Sequence, residues 1–168
     1  MPEVSAEPRR RTARWADPAP LAVARRAQCG LDFFRAIAAG TLPQPPIYDL
    51  LGFRLVAADP GLARFEGGTG EHLLNPFGTV HGGYAATLLD TACGCAVHTR
   101  LSATQMYTTL ELKVAYHRPL LVSTGEVRAE GVVLAFGRRI AYSEAKLYDA
   151  AQRLCASATS TLLIFDKP

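Results

Sequence analysis

The chain has 168 residues and a mass of 18.1 kDa, with 49% hydrophobic and 20% charged residues; this is the size and balance of one domain that buries a core, and it excludes a disordered chain. Its formal net charge of +3 resides in residues 1–26, where six Arg stand against Glu3, Glu7 and Asp17, while residues 27–168 carry twelve charges of each sign. A neutral body without a Lys/Arg stripe interleaved with aromatics excludes a nucleic-acid binder.

Residues 1–20 hold Arg9, Arg10, Arg11, Pro8, Pro18 and Pro20 without apolar periodicity and are expected to form a flexible arm. The only apolar run near the start, Leu21–Ala24, is too short for the core of a signal peptide. From Leu21 to Ala39, apolar residues at helical spacing predict one helix ended by Gly40, and Thr41–Pro46 is a proline-rich connector, so that 21–46 forms an N-terminal appendage and 47–168 the main domain. Within that domain Gly52–Ala58 and Leu62–Gly67 read as short strands joined by a tight turn at Asp59-Pro60-Gly61. Leu73–Val80 reads as loop, and Gly82 to about His98 as a helix.

That helix is apolar on all sides and holds a single charge between Gly82 and Val97, Asp90. A helix of this kind must be wrapped rather than laid on a surface. Four long strand patterns follow, Gln105–Arg118, Leu121–Leu134, Arg138–Tyr148 and Arg153–Phe165, with turn-length connections that favour antiparallel pairing. The expected class is therefore α+β, an antiparallel sheet wrapped around one long central helix. Cys93 and Cys95 lie about 200° apart around the helix, where they neither bridge nor chelate one metal, and with Cys29 and Cys155 they read as small apolar residues. Pro76, His81 and several glycines interrupt the long uncharged stretches, so no membrane span is expected and the cytoplasm is the expected location.

The sequence contains no G-x-S-x-G elbow, no Walker A and no H-E-x-x-H, and Glu66–Gly70 reads as a turn. The segment from Asn75 to Asp90 stands out. Gly82 and Gly83 at a helix start leave backbone N–H groups unhindered where the helix dipole adds positive charge, an arrangement suited to a carbonyl becoming an oxyanion. Asp90 has no Lys or Arg three or four residues away, so its charge is costly unless it is used. Asp90 lies about 10 Å along the axis from Gly83 at 1.5 Å per residue, too far to act on a carbonyl held there. A homodimer with antiparallel helices would bring Asp90 of one copy to Gly82 and Gly83 of the other. His81 could orient substrate, bond a nearby carbonyl or fix the loop, and Asn75 could be a turn residue. His72, His98 and His117 read as structural, His98 being suited to the negative end of the helix.

The run Asn75-Pro-Phe-Gly-Thr-Val-His81-Gly82-Gly83, then Asp90, then Thr108-Thr109-Leu-Glu-Leu-Lys-Val-Ala-Tyr-His-Arg-Pro119 resembles the hotdog-fold acyl-CoA thioesterases of the phenylacetate-degradation (PaaI-like) group. The resemblance spans about residues 47–165. It implies sheets paired edge to edge in homodimers, often assembled into homotetramers, and hydrolysis of an acyl-CoA substrate without metal or cofactor. It implies further that Gly83 donates its N–H to the thioester carbonyl and that Asp90 of the opposite subunit attacks or activates water. Asn75 and His81 would position thioester or water, and Thr109, or else Thr108, would assist Asp90. Strand parity sets Thr109 with Glu111 and Lys113, opposite Leu110, Leu112 and Val114. Arg118 is a candidate for the phosphates of CoA. The competing readings are a non-catalytic acyl-CoA-binding regulator or subunit and another acyl-CoA enzyme such as a hydratase. Nothing in the resemblance accounts for the first forty residues, expected to pack a helix outside the sheet.

Overall fold

The computed structural model describes residues 7–167. In chain order it contains α1 (Ala19–Ala27), α2 (Gly30–Ala38), α3 (Pro46–Leu51), β1 (Phe53–Asp59), β2 (Leu62–Gly68), α4 (Gly82–His98), β3 (Gln105–Tyr116), β4 (Glu126–Phe136), β5 (Ile140–Asp149) and β6 (Leu154–Asp166). The strands form one sheet in the order β1-β2-β4-β5-β6-β3, antiparallel at every pairing. The sheet curls around α4, as a helix without a polar face requires. Leu88, Leu89, Ala92, Cys93, Ala96 and Val97 of α4 are fully buried, and each Leu contributes about 1.5–3 kcal/mol by leaving water. Gly131 of β4 lies directly beneath the helix, where an added Cβ would collide with the backbone carbonyl of Ala92. No helix among the described residues is long and apolar enough to cross a membrane.

The β1–β2 turn falls at Pro60 and Gly61, where Gly61 has φ of +79°. The strand after α4 crosses to the far edge of the sheet, so β3 pairs only with β6 among the described residues and leaves its other edge free. Within β3 the register slips between Thr109 and Glu111, leaving Leu110 without a partner opposite it. This bulge reverses the alternation of faces. Tyr107 and Thr109 before it, and Leu112 and Val114 after it, all turn towards the helix side. The expectation that Thr109 shares a face with Glu111 and Lys113 is therefore corrected by one extra residue.

The appendage also departs from the predicted single helix. Cys29 takes an extended backbone (φ −67°, ψ 161°) and splits the segment into α1 and α2. The break lets the Gly30 N–H donate to the Leu101 carbonyl at 3.0 Å, with Gly30 pressed against the His98 backbone too closely for any side chain. The amphipathic α2 then buries Phe33, Phe34 and Ile37. Residues 41–45 lead into the short α3, which takes in Pro46 and whose Tyr48 packs on the rings of Phe53 (4.8 Å) and Phe65 (5.5 Å). Of the arm, residues 1–6 lie outside the described residues, and residues 7–17 are irregular but tethered. Arg9 pairs with Glu71 at 3.4 Å, and the Arg11 guanidinium donates to the Leu50 carbonyl at 2.9 Å.

His98 at the end of α4 is buried against Phe34 and Tyr107, with ring centroids 5.0 and 5.4 Å away. Burial, then the charges of Arg25 and Lys167, push its imidazole down to about 3. It is neutral, so it does not serve the helix dipole as a cation; its role is packing.

Candidate active site

Asn75 opens the approach to α4 by building a turn. Its Oδ1 accepts from the N–H groups of Phe77 (2.9 Å) and Thr79 (3.2 Å), while its Nδ2 donates to Thr79 Oγ1 at 2.8 Å. An Asx side chain closing its own loop in this way is a strong local organiser, and Gly78 supplies the positive φ that the turn needs. The loop returns to the body through Val80 N–H to the Leu120 carbonyl (2.8 Å) and His81 N–H to the Leu73 carbonyl (2.7 Å).

His81 is the N-cap of α4. Its Nδ1 accepts the Gly83 N–H at 2.8 Å, an imidazole acting where Ser or Asp is usual. The bond fixes the tautomer, since a nitrogen that accepts carries no proton and the proton sits on Nε2. The Gly83 N–H, free in the expectation from sequence, is thus occupied by the residue before the glycine pair. Tyr84 ties the first turn to β2 by donating to the Gly68 carbonyl at 3.2 Å, and Tyr116, which sequence reasoning did not single out, donates to the Gly82 carbonyl at 3.0 Å. The Tyr116 ring lies where a side chain at position 82 would stand. The signal for it was available: Tyr116 ends β3 directly before His-Arg-Pro.

Two clefts flank this helix start. One, of about 360 Å³, is lined by Asn75, Gly82, Tyr116, Arg118 and Pro119. The other, of about 300 Å³, is lined by Leu51, His72, His81, Gly83 and Thr87. Two turns along α4, Asp90 is half-buried and accepts a hydrogen bond from Thr109 Oγ1 at 3.1 Å. Burial pushes its carboxyl above the ordinary value, and the Thr109 hydroxyl pulls the other way. One turn further on, the Tyr107 ring lies against Gly94, its hydroxyl 2.5 Å from where a Cβ would be.

Within one chain the structure therefore brings together Asp90 with Thr109, His81 with Gly83, and Asn75 with Gly82 and Arg118. It does not join these groups to one another, and Asp90 stands apart from the helix start. Thr108 is exposed on the opposite face of β3. Cys93 and Cys95 are buried, with thiols pushed up to about 12 by burial, and are not nucleophiles.

The model of the thioesterase superfamily matches residues 77–156, which include the glycine pair, Asp90 and Thr109. The proofreading thioesterase EntH of Klebsiella pneumoniae is 33% identical over 107 residues, 64% of this chain and 77% of that protein. Among solved structures, a variant of the phenylacetic acid degradation protein PaaI from Thermus thermophilus is 29% identical, with a TM-score of 0.65 over 71% of this chain and 98% of its own. A protein from Streptococcus mutans solved with acetyl-CoA bound has a TM-score of 0.63 at 22% identity, over 69% of this chain and 90% of its own, a likeness of fold. With a wrapped helix, a glycine pair at its start and one half-buried carboxylate along it, the chain belongs to the hotdog-fold thioesterase superfamily, in its PaaI-like group, and is a thioester hydrolase.

Proposed function

We propose that the protein hydrolyses acyl-CoA thioesters, with an aryl or medium-length acyl group, at sites shared between two copies of the chain. The observation that carries this reading is Asp90: a carboxylate in an otherwise apolar helix, held by Thr109 and raised by burial above its ordinary value. The S. mutans neighbour binds acetyl-CoA, which supports CoA as the leaving group. Gly83 supplies the oxyanion donor. Because Asp90 and Gly83 are two turns apart on one helix, the second copy completes each site, its α4 antiparallel and the free edge of β3 available for pairing.

In this dimer the thioester carbonyl displaces the His81 ring from the Gly83 N–H and takes the hydrogen bond itself. Asp90 of the other copy either removes a proton from water as the water oxygen adds to the carbonyl carbon, or adds to that carbon directly. Collapse of the tetrahedral intermediate breaks the carbon–sulfur bond and releases CoA thiolate, which takes up a proton. By the direct route water then cleaves the resulting anhydride and restores Asp90. Thr109 holds the carboxylate in place, and Asn75, with its loop, holds the helix start.

Thiol release from a panel of aryl-CoA and fatty acyl-CoA substrates tests the assignment. The isosteric variant Asp90→Asn is expected to lose about 10²-fold or more in rate, the scale of a catalytic acid–base group. Equal rates from both proteins would remove Asp90 from the role, and no release from any substrate would favour a non-catalytic acyl-CoA-binding subunit.

A further inference from the structure

The N-terminal arm is the one strongly basic part of the chain. Residues 1–26 carry the entire net charge, and Arg9, Arg10, Arg11 and Arg14 stand within six positions of one another, against a balanced body. Although exposed, it runs over α3 and the segment that precedes α4. Arg11 reaches the Leu50 carbonyl at 2.9 Å and touches Gly52, while Arg9 reaches Glu71 at 3.4 Å. These contacts bracket the rim of the cleft whose walls include Leu51, His72, His81 and Gly83. Arg11 is near enough that its charge acts on His72, which burial first and Arg11 second hold below the ordinary value. Arg10 and Arg14 are exposed beside it.

Resting on the acyl-CoA reading above, we infer that this arm is a phosphate clamp for the substrate: its guanidinium groups meet the 3′-phosphate and pyrophosphate of CoA as the thioester enters beside Gly83. The pantetheine portion of CoA holds these phosphates well away from the thioester. They are therefore met at the rim of a cleft and not at the reacting atoms. Guanidinium groups suit phosphate oxygens because their planar forks donate two bonds at once, and a mostly neutral body leaves the arm as the region with a positive field to draw in a polyanion. The arm acts on binding and leaves the chemical step alone.

The test is calorimetric binding of free CoA and of pantetheine, which lacks the nucleotide and its phosphates, to the full chain and to the triple variant Arg9→Gln, Arg10→Gln, Arg11→Gln. In turnover the matching pair is an acyl-CoA and the acyl-pantetheine thioester. Loss of three exposed guanidinium–phosphate pairs is expected to weaken CoA binding and raise the acyl-CoA KM about tenfold. The kcat, pantetheine binding and the acyl-pantetheine KM should stay unchanged, and the difference in KM should shrink as salt is added. The Lys-for-Arg triple, which keeps the charge but loses the fork, should recover only part of the binding. Equal losses for CoA and pantetheine would make the arm structural and overturn the proposal, as would unchanged CoA binding. A tenfold loss from Arg118→Gln with none from the arm variant would place the phosphates in the other cleft. Failure of the wild-type chain to hydrolyse any acyl-CoA strikes the thioesterase assignment, whereas the calorimetric arm needs no turnover and judges the clamp by itself.

Discussion

Asp90 lives between two opposing influences. Removal from water disfavours its charge, and the Thr109 hydroxyl, 3.1 Å away, favours it, with burial the larger of the two. The folded chain thus holds the Asp90 proton more tightly than the unfolded chain does, and wild-type stability falls as pH rises from the ordinary value of 3.8 through the raised one. Asn at this position keeps an acceptor for Thr109 and carries no charge. We therefore expect Asp90→Asn to be more stable than wild type at pH 7 by about 1 kcal/mol, the scale of gain when a costly functional group is neutralised. Thermal melts across pH should show the gap closing near pH 4, as the wild-type carboxyl takes up its proton; a variant equally or less stable at pH 7 would contradict a cost of burying the Asp90 charge. Much of this was legible in the sequence, because an unpaired Asp in a run of Ala, Leu and Cys is conspicuous. The parity of Thr109 was not legible, because a bulge is decided by how β6 counts its residues opposite β3 and leaves no mark in β3 itself.

Among the elements, α4 was the clearest from sequence: Gly-Gly at its start, apolar residues on every side, and boundaries at Gly82 and His98 as predicted. The break between α1 and α2 was hidden because its cause is tertiary. Only when the end of α4 is in place does Gly30 find the Leu101 carbonyl, and only then does an extended Cys29 gain anything. The same junction governs acid sensitivity. His98 titrates near 6.5 in the unfolded chain and near 3 when folded, so the folded state binds fewer protons across that interval. Stability is full above pH 6.5 and is lost progressively as pH falls towards 3, at up to about 1.4 kcal/mol per pH unit from this one group. Its Nε2 is buried without a partner among the described residues, so His98→Leu removes the titration at little cost in hydrogen bonding. Urea midpoints between pH 7 and 4 should fall less steeply for that variant than for wild type. Parallel profiles would mean that the ring is already wet in solution.

For the whole molecule, the proposed shared site makes oligomeric state a catalytic requirement, because Asp90 stands apart from Gly83 on one helix. Gly83→Pro removes the N–H yet sits in the first turn, where proline is tolerated. Asp90→Asn and Gly83→Pro should each be inactive alone. After subunit exchange a mixed dimer carries both lesions in one site and neither in the other, so an equal mixture should regain about a quarter of wild-type activity. No recovery after confirmed exchange would mean that each chain completes its own site. Edge pairing of the sheets could be expected from the resemblance, but no local pattern in the sequence announces which edge is free; that follows from β3 crossing to the end of the sheet.

The bond from the Gly83 N–H to His81 Nδ1 has a consequence for the resting protein. An uncapped helix start attracts any small anion in solution, and phosphate or chloride would compete with substrate for it. Here the positive end is plugged by the chain's own imidazole. In the reaction proposed above, the plug is a neutral acceptor weaker than a developing oxyanion, so it would yield to the reaction more readily than to a passing ion, and the site would stay quiet until a thioester arrived with enough binding energy elsewhere to turn the ring aside.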